Sequence, residues 1–491
     1  MTAPDPARAD QLEAWLLSGH QRLERLIVPA FAEGKKALRR QASAVEPASL
    51  RLLPSAGLPR ELCDLDAWLS GSRAGMPALD EPVRWSLFFR YLAAPLRYEP
   101  YSESAIHKAV PSSRGRYPLK YYLLRSRGGT TQVHAYVPEF HGLQALPPLA
   151  AGAMGEGTAA LVCVGRAWRY AEEYGEFAHV PCVLEAGHAQ AQAQHLAQLL
   201  GIDETADPDR ETGRPLCSQP FEIPLYAIGL RPGFEPEDLP AEHPRLSAPR
   251  PYPEMEQRFP RLRLFQRSFD RGATPARVAA SAVPGLSAAR RGDVGGRGVL
   301  GVMRRRSSGN DRGLASSVLT QVPAGTCASV IATWSAIRRR RPSSAAAAEL
   351  AHSLLWLGQE PGRPPGVLDI DADAPAPQAW RGDLREAVVR MLPYANTKYN
   401  FATLTAVLIV QADVRAAMER LGDAALREIH LAAGATAQDF SLAAAAHDLY
   451  ARPTKMMREA RLESELALRG QAVYLVLCGH SRSANPTMEL C

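Results

Sequence analysis

Lysine is scarce in this chain: only six of its 57 basic side chains are lysine, and the rest are arginine. With the high alanine and proline content, that bias is the one a GC-rich coding sequence would produce. A net charge of +6 over 491 residues is too modest to imply a nucleic-acid partner. Long apolar runs are missing as well. None reaches the ~18 residues that a membrane helix needs, so no membrane association is expected. The opening Met1-Thr2-Ala3-Pro4-Asp5-Pro6 has no basic stretch leading into an apolar one, so no secretory leader is expected and the cytoplasm is the expected compartment. The seven cysteines are scattered, without a CxxC pair or a histidine at zinc spacing. That pattern argues against a disulfide scaffold or a zinc module and fits free thiols in a reducing compartment. No histidine–carboxylate cluster stands out for a metal, and no Ser/His/Asp order for acyl transfer.

What remains, 46% hydrophobic and 7% aromatic residues, is the composition of a globular chain, and the length allows two or three domains. An internal repeat is its most informative feature. Glu172-Glu173-Tyr174-Gly175-Glu176 leads through an apolar helical run to Glu185-Ala186-Gly187-His188, and Glu419-Arg420-Leu421-Gly422-Asp423 leads to Leu431-Ala432-Ala433-Gly434. In both copies the glycines lie twelve positions apart, and each copy closes on an apolar strand ending in glycine, at Gly229 and Gly479. Two copies of one fold in tandem are expected.

Around the repeat, residues 1–84 read as an N-terminal helical region, with apolar residues at three- and four-residue steps over about 8–40, suited to docking or dimer contacts. Residues 85–232 form a first α/β unit. Its Leu119–Leu124 and Gln132–Tyr136 are strand-like and joined by Arg127-Gly128-Gly129, a hairpin signal. Leu161–Val164 is a buried strand, and a helix runs from His188 to about Gly201. Residues 233–262, rich in Pro, Glu and Arg, read as a linker or extended arm, and 263–491 as a second unit. There Leu354–Leu357 and Gly366–Ile370 mirror the hairpin, Leu404–Val410 the buried strand and Ile429–Leu449 the helix. The order of elements predicts an α+β fold, a mixed or antiparallel sheet with flanking helices.

Three segments could carry chemistry. Arg304-Arg305-Arg306-Ser307-Ser308-Gly309-Asn310 puts guanidinium forks beside short hydroxyl donors, as a phosphate monoester requires, although an exposed basic turn reads the same way. Pro111-Ser112-Ser113-Arg114-Gly115-Arg116-Tyr117-Pro118 predicts a tight loop whose N–H groups could bond a heterocycle, or an ordinary turn feeding a strand. Gly479-His480-Ser481-Arg482 could bring an arginine to a phosphate. Gly296-Arg297-Gly298-Val299-Leu300-Gly301 matches a dinucleotide fingerprint in letters, but no strand leads into it, and it reads as a glycine loop.

Together these segments resemble the nitroreductase-like flavoprotein family and, within it, the SagB-type dehydrogenases of peptide maturation. The matching text in the first unit is Pro111–Pro118, Tyr136, Trp168-Arg169-Tyr170, Tyr174-Gly175 and Leu184-Glu185-Ala186-Gly187-His188. In the second unit it is Arg305-Arg306-Ser307, Ala432-Ala433-Gly434 and the Gly479 loop. The resemblance implies two tandem nitroreductase-like domains forming an intrachain pseudo-dimer, with FMN at the seam. Arg305, Ser307, Asn310 and Arg482 would bind the cofactor from one side, and Ser112, Ser113, Arg114 and Gly115 from the other. The first unit lacks a clean Arg-x-Ser segment. The second unit's Pro342-Ser343-Ser344 runs into alanines and reads as a helix start, so one composite flavin site is expected.

Where the subfamily carries a Lys-Tyr pair, this chain has Glu173-Tyr174, with Glu173 expected as a base of raised pKa and Tyr174 beside it; a surface carboxylate would read the same. Arg169 and His188 are the expected substrate-binding residues. The implied activity is FMN-dependent dehydrogenation of azoline rings to thiazoles or oxazoles in a ribosomally made peptide. The expected partners are that peptide, a cyclodehydratase or other modifying enzyme, and a second copy of the chain. The alternatives are an ene- or nitro-reductase using reduced nicotinamide and a non-catalytic scaffold subunit.

Overall fold

The computed structural model describes residues 6–18, 50–99, 105–150, 154–202, 206–231, 233, 235–242, 262–272, 296–309, 317–371, 377–378, 380, 382–393, 400–481 and 488–490. Its helices are α1 (Pro6–Ser18), α2 (Leu65–Ser70), α3 (Glu81–Ala93), α4 (Trp168–Tyr174), α5 (His179–Leu200) and α6 (Leu262–Asp270). They continue with α7 (Val299–Arg305), α8 (Thr326–Arg339), α9 (Leu384–Met391), α10 (Val414–Leu421), α11 (Ala425–Ala446) and α12 (Glu459–Leu466).

The first sheet contains β1 (Leu50–Leu52), β4 (Leu119–Arg127), β5 (Thr130–Val137), β6 (Gly142–Leu149), β7 (Ala159–Arg166), β8 (Glu222–Leu230) and β9 (Ala241–Glu242). Its order is β8-β7-β4-β5-β6-β1-β9, with every neighbouring pair antiparallel. The predicted hairpin forms as read: Leu124 faces Val133 across β4 and β5, and Gly128 and Gly129 both take positive φ, 60° and 74°. Such a turn follows the right-handed twist of its strands, and glycine adopts it without a Cβ penalty. The second sheet runs β10-β16-β14-β11-β12-β13, from β10 (Ser317–Val318), β11 (Leu350–Trp356), β12 (Gly366–Asp369), β13 (Pro377–Gln378), β14 (Ala406–Ala412) and β16 (Gln471–Ser481), with β15 (Tyr450–Thr454) also on β16. A third sheet joins β17 (Met488–Glu489), β2 (Arg97–Tyr98) and β3 (Ile106–His107), so the C-terminal strand pairs with the first unit.

Helices α5 and α11 fill the centre, and both span 22 residues. Every residue of α11 is buried, which its many alanines allow. At the crossing the backbones touch. A Cβ on Gly187 would meet the carbonyl oxygen of Leu431 and lie 2.9 Å from the Gly434 Cα, while a Cβ on Gly434 would meet the carbonyl oxygen of Leu184 and lie 3.0 Å from the Gly187 Cα. Each glycine meets the same feature of the other helix, the reciprocity of an isologous interface. The other repeat glycines match as well. Gly175 ends α4 at φ 56°, ψ −136° and Gly422 ends α10 at φ 53°, ψ −130°, a conformation suited to glycine.

Several boundaries differ from the sequence reading. The helix of the first repeat starts at His179, so His188 lies inside it; the 3-10 turn Gly175–Ala178 feeds the helix without a polar cap. Residues 235–242 form no free linker: β9 pairs with β1, and Glu235 accepts hydrogen bonds from Arg125 at 2.7 and 3.1 Å. Residues 243–261 lie outside the described residues. β1 draws part of the expected N-terminal region into the first sheet. The leader helix α1 docks on the second unit, with Trp15 edge-on to His430 at 5.9 Å and Gln11 donating to Asp423 Oδ1 at 3.3 Å. No described helix is long and apolar enough to cross a membrane, and no described cluster of His, Cys, Asp and Glu could hold a metal ion.

Candidate active site

The arginine segment of the second unit packs against the first unit at the chain that leads into the 111–118 loop. Strand β2 of the first unit holds the arginine segment of the second: Arg97 donates through Nη1 to the Arg304 carbonyl at 2.6 Å and through Nη2 to that of Arg306 at 3.3 Å. Arg306 answers across the junction, with Nη2 on the Lys108 carbonyl at 3.1 Å and Nη1 on Ser308 Oγ at 3.2 Å. Among the described residues its Nε has no partner although it is buried. Burial pulls this guanidinium down to about 10, with the neighbouring Arg97 adding to the shift. The β15–β16 corner closes the same end. Ala451 N–H donates to the Ser307 carbonyl at 2.8 Å, Arg452 Nε to that of Ser308 at 2.7 Å, and the Tyr450 ring lies beside both Gly309 and Gly479.

Of the three consecutive arginines, Arg306 is the one turned inward. Arg305 is exposed, and Arg304 is tied to Tyr91 and Glu61, both at 2.6 Å. Ser307 Oγ accepts from Gly309 N–H at 3.2 Å. Asn310 and Arg482 lie outside the described residues. The glycine text at 296–301 departs from the loop expected of it, because α7 begins at Val299 and Arg297 pairs with Asp448 at 2.6 Å.

On the first-unit side, Ser113–Gly115 forms a 3-10 turn with Arg114, Gly115 and Tyr117 at positive φ, 54°, 63° and 47°. Its N–H groups are less free than the sequence suggested. Ser113 N–H donates to Tyr170 Oη at 3.1 Å, Gly115 N–H to the Ser112 carbonyl at 3.1 Å, Arg116 N–H to the Ser113 carbonyl at 3.3 Å and Tyr117 N–H to Ser112 Oγ at 2.8 Å. The loop is therefore a pre-formed rigid wall. Behind it stands a pair that sequence reasoning missed: Tyr170 Oη donates to Glu185 Oε2 at 2.5 Å and meets Ser112 Oγ at 3.1 Å. Desolvation raises Glu185 to about 7 against the hydrogen bonds from Tyr170 and Ser112, which favour the carboxylate. Tyr170 and Glu185 lie on different helices, with the 3-10 turn Gly175–Ala178 between them, so their spacing in the sequence carried no signal of the pair.

Two assigned roles change. Glu173, expected as a base, has Arg114 Nε 3.2 Å from Oε2 and Arg116 Nε 2.9 Å from Oε1, with Arg116 Nη2 also on Oε1. Both oxygens face a guanidinium, so the side chain ties α4 to the loop. Glu173→Gln should therefore loosen the loop by about 1.5–3 kcal/mol, the worth of a hydrogen bond to a charged group, and lower the melting temperature. A thermal melt unchanged by the substitution would refute that anchoring role. His188, expected to touch substrate, is buried with both nitrogens engaged, Nδ1 with Gln438 Oε1 at 3.0 Å and Nε2 with Tyr474 Oη at 3.3 Å. Desolvation pulls it down to about 3, so it is neutral and joins the two units. Arg169 and Tyr174 are half-buried. Tyr174 stands edge-on to Tyr170 at 5.4 Å. Arg169 is lowered to about 10 by desolvation and by Arg166, and it has no ion-pair or hydrogen-bond partner among the described residues.

The mirror position in the second unit has lost these groups. Counting from the paired glycines, Glu185, His188, Tyr170 and Tyr174 correspond to Ala432, Ala435, Ala417 and Leu421. Beside Pro342-Ser343-Ser344, Arg341 is committed to the buried Asp439 at 2.8 Å, which also holds His195 at 2.7 Å.

The whole-chain fold is similar to a crystal structure described as that of a "putative nitroreductase" from Anabaena variabilis, with a TM-score of 0.64 and 14% identity, covering 96% of this chain and 99% of that one. The fold is nitroreductase-like. A second structure so described, from Ralstonia eutropha, covers 40% of this chain and 94% of its own at 15% identity and a TM-score of 0.29, too distant to carry an argument. No family model matches the sequence, and no curated protein does.

Proposed function

We propose that this nitroreductase-like chain is an intrachain pseudo-dimer that binds one FMN at the junction of its two units. Its reaction would be the dehydrogenation of azoline rings in a ribosomally made peptide to thiazoles or oxazoles. The observation that carries the reading is the meeting of Arg306-Ser307-Ser308 with the 108–117 loop around half-buried polar side chains. The residues fit the cofactor: a buried guanidinium with an unmatched Nε beside two serines suits a phosphate, and a rigid polar loop suits a flat heterocycle. Arg306, Ser307 and Ser308 would hold the phosphate, with Arg306 in the part first given to Arg305. Ser112, Ser113, Arg114 and Gly115 would line the ring. FMN, when bound, supplies the two-electron acceptor. The chain's own part is to position the peptide, exclude water and take a proton. Half-buried Tyr174, beside Ser113 and Arg114 of the loop, and half-buried Arg169 are the side chains proposed to meet the substrate, and a cyclodehydratase acting on the same peptide is the proposed partner.

The purified protein should show the visible absorbance of oxidised FMN. Under anaerobic conditions an azoline-containing peptide should bleach it. Bleaching by reduced nicotinamide but not by the peptide would assign the chain to the reductases, and a colourless protein that takes up no FMN would make it a scaffold.

A further inference from the structure

We propose that Lys108 is the proton acceptor of the candidate site: its amine, lying on the Tyr117 ring at the junction of the two units, takes the proton that leaves the substrate carbon. The inference rests on the dehydrogenase reading and supplies the base that Glu173 does not.

The geometry points to this residue first. Lys108 Nζ sits 4.3 Å from the centroid of the Tyr117 ring and has no hydrogen bond or ion pair among the described residues. The chain around it is fixed at both ends. The Lys108 carbonyl is held by Arg306 of the second unit at 3.1 Å, and Tyr117 Oη donates to the Ile106 carbonyl at 3.0 Å. Tyr117 accepts a positive φ of 47°, uncommon for a bulky residue, and this conformation brings its ring under the amine. A lysine fixed at its backbone and in ion-pair contact with no carboxylate among the described residues is placed to exchange a proton rather than to make a structural pair.

The charges facing it come from several elements. Glu139, between β5 and β6, and Glu185 of α5 favour the ammonium; Arg166 of β7 and Arg169 of α4 favour the free amine. Arg306 adds a further guanidinium at the backbone. Desolvation outweighs these terms and lowers the amine to about 8, so a substantial fraction is neutral near pH 8. Glu185, raised to about 7, is the other titrating group whose charge the amine feels.

In the step itself, the ring Cα–H bond breaks and its proton goes to the neutral amine, giving the ammonium. The electron pair left behind forms the new ring double bond as a hydride leaves the adjacent carbon for the two-electron acceptor, the FMN of the proposed function. Dioxygen then takes the two electrons and the proton of that hydride from the acceptor, with one further proton from water, and leaves as hydrogen peroxide.

Two measurements test this. Reductive methylation of the apoprotein with carbon-13 formaldehyde, in a chain with only six lysines, gives methyl resonances whose Lys108 member is the one missing from Lys108→Met. That resonance should titrate near pH 8, where burial also lowers Lys120 from the ordinary lysine range; titration of Lys108 near pH 10 would overturn the proposal without reference to any substrate. In the FMN-loaded protein, Lys108→Met should keep the flavin spectrum and the KM for an azoline peptide within about threefold. It should lose about 100- to 10,000-fold in kcat, the usual weight of a general base. The wild-type rate should rise with pH through about 8 and then level. A rate rising through 7 in wild type and surviving in Lys108→Met would give the role to Glu185 and contradict the proposal. Inactivity of the wild-type protein towards azoline peptides would instead sink the dehydrogenase reading, with the titration still deciding whether Lys108 is a poised amine.

Discussion

Gly187→Ala should prevent the two units from packing together. The added methyl would sit on the Leu431 carbonyl and 2.9 Å from the Gly434 Cα, and the obstacle is main chain in a helix whose every residue is buried. No rotamer can relieve a clash with backbone, so α5 and α11 must separate along a contact that spans the centre of the molecule. Overpacked cores lose about 1–3 kcal/mol, and a backbone–backbone crossing belongs at or above the top of that range. Little soluble protein, or a melting temperature many degrees lower, is the expected result. Gly434→Ala should behave alike, and the double variant should be far from additive, because both methyls force the same gap. Alanine at 187 with an unchanged melt would mean that the helices do not touch as described.

Arg306→Ala should weaken FMN binding by about 10- to 100-fold, because a hydrogen bond to a charged group is worth about 1.5–3 kcal/mol and 1.4 kcal/mol is a tenfold change. Arg305→Ala, one residue away, should stay within about threefold, because that side chain is exposed. Fluorescence titration of the apoprotein with FMN separates the two. Arg306 also holds the Lys108 carbonyl, so some of the loss will come from the loop. Arg306→Lys, which keeps the charge but not the planar fork, should fall between the two variants. The opposite order, with Arg305→Ala losing FMN and Arg306→Ala keeping it, would place the phosphate elsewhere.

Much of the architecture could be read from spacing. The Gly128-Gly129 hairpin, the buried strands and the paired glycines of the repeat are local signals, and each has a local cause in φ or in close approach. The site was legible in its segments and not in its atoms. Three arginines in a row carry no phase information, so only the end of α7 and its grip by Arg97 decide that Arg306 faces inward. Glu173 looked like a substitute for a lysine because its partners, Arg114 and Arg116, lie 57 to 59 positions away and meet it only through the fold. The Tyr170–Glu185 pair and the lone amine of Lys108 depend on which faces of α4, α5 and the loop converge. Short edge elements, such as β9 on the first sheet and β17 crossing back to β2, have too few residues for any periodicity to show.

A single flavin site built by both halves, as proposed, requires the mirror position to bind none; there Ala417, Ala432 and Ala435 stand where the first unit has Tyr170, Glu185 and His188, and Arg341 is committed to Asp439. Protein saturated with FMN, desalted, and assayed for released flavin against chain concentration measures this directly. The ratio should be one FMN per chain; a ratio of two would show that both junctions bind the cofactor and would contradict the account.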